Sequence, residues 1–166
     1  MRKTPLLILT IAAAALAVGA YTAFATEGAH FMSSSSSVND TGALVVNWDE
    51  AGLGNGNIDY TLTADATALY ACINNGGHHP KASNKQSFQG SVESGGSFQS
   101  RNGRVRATLT AGPLTEPSFT CPSGQTRVLA QATYTNIVLT DTTNDVIESV
   151  ADASRCFFPT IPNLCT

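Results

Sequence analysis

The most chemically mixed stretch of the chain lies between Leu69 and Lys85, where Cys72, Asn74, Asn75, His78, His79 and Lys81 follow one another closely. Imidazoles can ligate a metal or carry a proton, and amides beside an ammonium can hold a polar ligand. The spacing argues against a metal. Neighbours on extended backbone project to opposite sides, and a zinc site needs three or four ligands. Asp and Glu are lacking near the histidine pair, and the remaining histidine, His30, lies far upstream. Asn74, Asn75, His78, His79 and Lys81 are therefore read as a candidate binding loop, with no metal and no cofactor. Asp141, Asn144 and Asp145 form a weak calcium candidate. Exported calcium modules use clustered oxygen ligands, but Asp141-Thr142-Thr143-Asn144-Asp145 equally reads as a turn closed by Asx side chains.

Catalysis finds little support. A hydrolase needs a nucleophile, a base and a group to orient the base. The chain has no G-x-S-x-G elbow. Asp59, Asp65 and Glu93 show no pairing of the kind that glycoside cleavage requires. The expectation is a non-catalytic protein. The alternative is a secreted enzyme or metal-dependent module that uses the His78/His79 loop. Trp48, Tyr60, Tyr70 and Tyr134 would suit a sugar-stacking platform, but each sits on a strand where core packing explains it as well.

The ends of the chain say where such a protein would work. Residues 1–25 have the form of a secretory signal peptide. Arg2 and Lys3 precede an apolar run from Leu6 to Ala20, and Ala23-Phe24-Ala25 offers a small-x-small cleavage site. The run is short for a membrane span of about 20 residues, so cleavage is expected rather than retention as an anchor. Cleavage would remove two of nine basic residues and none of twelve acidic ones, leaving a formal charge near −5 on about 141 residues. That length suits one domain. The charge is mild and spread out. Arg101, Arg104 and Arg106 make a local patch rather than a groove, so nucleic acid is not an expected partner.

Four cysteines, Cys72, Cys121, Cys156 and Cys165, follow the signal segment. An even number in an exported chain favours disulfides. Three pairings are possible. Eight residues separate Cys156 from Cys165, which suits a local loop and would leave Cys72 with Cys121; spacing alone does not decide between the three.

The elements that must position these residues read as strands. Residues 26–41 look like a flexible leader, because Ser33 to Ser37 are consecutive serines with nothing to bury. From residue 42 to 155 apolar residues alternate: Leu44, Val46 and Trp48, then Ile58, Tyr60, Leu62 and Ala64. Gln86 to Glu93 alternates until Gly95-Gly96, which is read as a break. Asn102-Gly103 predicts a type I′ hairpin turn between Phe98–Arg101 and Arg104–Thr110. Between Tyr134 and Ile137 the apolar phase shifts, as one bulged residue would make it do. Residues 156–166 form a cysteine-closed tail. No segment keeps a helical period. The fold expected is all-β: an antiparallel, Ig-like sandwich of seven to nine strands, stapled by disulfides.

Three pieces of the chain carry a resemblance: Ala71 to Ala82, with Cys72-Ile73-Asn74-Asn75-Gly76-Gly77-His78-His79-Pro80-Lys81; Phe119 to Gln125, with Cys121-Pro122-Ser123-Gly124; and Tyr134 to Asn144. Over roughly Asn57 to Val150 the chain resembles a group of small exported proteins of unknown function from high-GC Gram-positive bacteria. The resemblance implies an extracellular β-domain and a Cys72–Cys121 bridge, and implies no activity. The Cys156/Cys165 tail departs from that pattern. The functional expectation is a secreted β-domain with a surface-binding or self-assembly role at or outside the envelope. Its partner would be a protein, a glycan or another copy, with no membrane contact once the signal is removed.

Overall fold

The computed structural model describes residues 28–74, 84–115, 118–160 and 164–165 of the 166-residue chain. These residues form eight strands and no helix: β1 His30–Val38, β2 Leu44–Ala51, β3 Gly56–Asn74, β4 Lys85–Ser100, β5 Arg104–Ala111, β6 Gln125–Asp141, β7 Val146–Val150 and β8 Ala153–Cys156. They build two antiparallel sheets. Sheet A has the order β1-β2-β5, and sheet B the order β4-β3-β6-β7, with β8 pairing farther along β6. The disulfide-stapled all-β sandwich expected from the sequence is what forms. Both cysteine pairs are bonded, Cys72 to Cys121 and Cys156 to Cys165.

The alternating residues face each other across the two layers. Leu44, Val46 and Trp48 of β2 and Val105 and Leu109 of β5 pack on Ile58, Tyr60, Leu62 and Ala64 of β3 and on Tyr134, Ile137 and Leu139 of β6. Trp48 anchors an aromatic group, with its ring centroid 4.8 Å from Tyr60 and 5.3 Å from Phe98. Asn136 supplies the predicted bulge. It has φ of 50°, the register against β3 shifts there, and its amide donates to Asp65 at 2.8 Å.

Three sequence expectations need correction. The serines are not a flexible leader. They are the body of β1, paired residue by residue with β2 from Ser33↔Asp49 to Ser37↔Val45, so the folded domain begins upstream of residue 42. Ser34 and Ser36 turn inward and donate to Glu148 and to the Ala151 carbonyl, lacing β1 to the far sheet. The serine hydroxyls thus find the partners that apolar contacts would otherwise replace. Second, Gly95-Gly96 does not break β4. A Cβ on Gly96 would lie 2.9 Å from the Phe98 ring, so the glycine makes room for the aromatic group while the ladder to β3 continues. Third, Asn102 (φ 54°) and Gly103 (φ 72°) make the predicted turn, yet its arms pair only at Arg101↔Arg104. Beyond that bridge β4 enters sheet B and β5 enters sheet A. The turn is a corner between layers rather than the tip of a hairpin.

Candidate functional site

Of the predicted binding loop, Asn75, His78, His79 and Lys81 lie outside the described residues. Asn74 ends β3, exposed and paired with Gln125. The residues of the calcium candidate are engaged in closing their own turn. Asp141 is fully buried, and its carboxylate caps its own turn, accepting from the Thr143 and Asn144 backbone N–H groups and from the Asn144 amide at 2.6–3.0 Å. Oδ1 thus takes the two backbone donors and Oδ2 the side-chain amide, an Asx-closed turn. Among the described residues no three His, Cys, Asp or Glu side chains gather where they could hold a metal. Trp48, Tyr60, Tyr70 and Tyr134 are all buried, so none offers a face to a sugar ring.

Sequence reasoning missed one carboxylate pair. Glu50 on β2 and Asp141 at the end of β6 meet in the core, both at 0 % exposure. The Tyr60 hydroxyl donates to Glu50 Oε2 at 2.6 Å, while Oε1 meets no donor. Burial raises the Glu50 pKa from 4.5 to about 7; the Tyr60 hydrogen bond opposes this, and the charge of Asp141 and its hydrogen bond to Glu50 add to it. A proton on Oε1, donated toward Asp141, satisfies the otherwise unpartnered oxygen. Two carboxyls side by side would suggest acid–base chemistry. These have no access to a substrate, and their order comes from the core. No local signal marks the pair, because Glu50 occupies an inward position of an alternating strand and its partner lies far along the chain.

The surface gathers its chemistry at the corner between β4 and β5. Residues that alternate outward from both strands, Gln99, Arg101, Arg104 and Arg106, converge with Asn102 around a recess of about 600 Å³. The arginine patch therefore lines a concavity, contrary to the sequence expectation. Because β4 and β5 diverge into separate layers after one bridge, a hollow opens between them. Asp49, from the neighbouring strand, orders the patch. Arg104 grips it through Nε and Nη2, and Arg106 Nε donates to it at 2.8 Å. The guanidinium of Arg104, aided by Arg106, holds the Asp49 carboxyl down to about 2, and Asp49 in turn raises the Arg104 pKa.

At Arg106 the recess meets a second, shallower groove of about 430 Å³ across the outer face of sheet A. Its floor is a set of cross-strand rows: Ser33–Asp49–Arg106, then Ser35–Asn47–Thr108. Thr108 donates to Asn47 at 2.7 Å, which fixes both polar tips. The result is a rigid sheet of hydroxyls and amides with guanidiniums at one end. Its donors are suited to polar, anionic groups, and its one carboxylate, Asp49, is held by Arg104 and Arg106. No protein-family model, no curated protein and no solved structure matches the chain.

Proposed function

We propose that the protein is an exported, non-catalytic β-domain that acts by surface contact at or outside the cell envelope. The observation that carries this reading is the adjoining recess and groove just described, where fixed donors converge at the surface while the Glu50–Asp141 carboxyl pair is sealed in the core. Two disulfides suit an oxidising compartment, and the signal-like residues 1–25 supply a route to it. Among the described residues no helix is long and apolar enough to cross a membrane. The test is co-sedimentation of the oxidised chain with washed envelope material from the producing cell, at low and high salt. Salt-sensitive sedimentation is expected. A protein that stays in the supernatant at every salt concentration would remove the reading.

A further inference from the structure

The arginine recess carries more positive charge than the fold uses. Arg101 has no side-chain partner among the described residues, yet it stands directly opposite Arg104 across the bridge that closes the turn. Like charges facing each other across a bridge are destabilising. Arg106 is 69 % exposed and spends only Nε on Asp49. Its two terminal amino groups have no partner among the described residues. One carboxylate thus pairs with two of the three guanidiniums and, among the described residues, leaves the third without a counter-charge, on a chain whose net charge is −3. A scaffold that keeps such a cluster ordered presents planar forks of N–H donors suited to an oxyanion.

The neighbouring groove says what carries the oxyanion. It offers Ser33, Ser35, Asn47 and Thr108 in two rows, which match the hydroxyls of a sugar chain. No aromatic side chain lines the arginine recess, so it lacks the stacking platform that single-stranded nucleic acid uses. The recess also lacks a large apolar side chain, and Trp48 beneath the groove is only 4 % exposed, so neither offers the usual anchor of a protein partner. We propose that recess and groove together bind an acidic polysaccharide, its carboxylate or sulfate groups at Arg101 and Arg106 and its hydroxyls along Ser35, Asn47 and Thr108. This rests on the surface-binding reading above and names its ligand class.

The experiment is isothermal titration of the oxidised chain with four probes: oligogalacturonate, heparin oligosaccharide, neutral dextran and oligothymidylate. At least one acidic oligosaccharide should bind, and which one it is separates a carboxylate from a sulfate ligand. Dextran should not bind, and oligothymidylate should bind more weakly. Arg101→Ser/Arg106→Ser should weaken binding about tenfold or more. Ser35→Val/Thr108→Val, with strand-favouring side chains, should weaken it while leaving its salt dependence unchanged. Near-ultraviolet circular dichroism of Trp48 would verify that both variants fold. The proposal is overturned if neither acidic oligosaccharide binds, if oligothymidylate binds as tightly, or if the arginine variant binds like the parent. Co-sedimentation with envelope that persists when both acidic probes fail would sink the ligand class and leave the surface reading standing.

Discussion

Sheet B has two halves held by different means. Its strands run to 19, 16 and 17 residues in β3, β4 and β6, whereas those of sheet A have eight or nine. At about 3.3 Å per residue, the short layer cannot cover the long one. Ile58 to Ala66 of β3 share a core with sheet A. Farther along the same strand, no sheet A residue enters the clusters. On one face Tyr70 packs with Phe88 and Phe119 and donates to the Leu114 carbonyl. On the other, Ala71 and Ala130 are covered by Leu164 and Phe158 from the tail. Each cover is tied down by a disulfide: Cys72–Cys121 holds the connection between β5 and β6, and Cys156–Cys165 closes the tail. Where a second sheet is present, packing suffices. Where it is missing, covalent closure of loops takes its place, as in small exported domains with too little core.

The sharpest way to break this contrast is to damage the packed half. Trp48→Ala removes the centre of the aromatic group and should cost about 3–5 kcal/mol, with global loss of structure in urea unfolding. In the stapled half, Cys72→Ser/Cys121→Ser should cost about 2–4 kcal/mol. The loss should also be local. Hydrogen exchange should quicken in residues 67–74 and 125–131, while Ile58–Ala66 keep their protection at the native baseline. Uniform quickening along β3 would mean that the two halves are one cooperative unit.

A smaller effect separates the buried carboxyl from the surface one. The folded-state pKa of Glu50 lies above its unfolded value, so the folded chain keeps a proton that the unfolded chain releases between pH 4.5 and about 7. Stability from this source is complete below that window and falls as pH rises through it, by on the order of 3 kcal/mol. Glu50→Gln keeps an acceptor for Tyr60 and a donor for Asp141, and should flatten the decline between about pH 5 and about pH 8. Asp49 works in the opposite sense. Its pKa is lowered from 3.8 to about 2, so its contribution is present above pH 3.8 and is lost as pH falls toward 2. That acid limb should survive in Glu50→Gln, and its disappearance would show that the two groups are coupled.

What could be read from the sequence follows the range of the interactions. Alternation along β2 and β3, the Asn102-Gly103 turn and the Asn136 bulge are local consequences of side-chain period and backbone φ, and all were legible. The serines of β1 were not, because the groups that receive Ser34 and Ser36, Glu148 and the Ala151 carbonyl, lie more than a hundred residues away. Gly95-Gly96 reads as a break until Phe98 is seen to need the space. The arginines were visible as a patch. The recess was invisible, because it exists only where the arms of one turn enter different sheets. The buried Glu50–Asp141 pair belongs to the same class of long-range event.

The two regions meet in one claim: packing and disulfides hold the scaffold, and the arginines of the β4–β5 corner are held for a ligand. Thermal unfolding of Arg101→Ser/Arg106→Ser at neutral pH and low salt tests it most directly. Relief of the facing charges, set against loss of an exposed ion pair worth about 0–1 kcal/mol, should leave Tm unchanged or slightly raised. A fall of many degrees would show that the arginines serve the fold and would contradict the account.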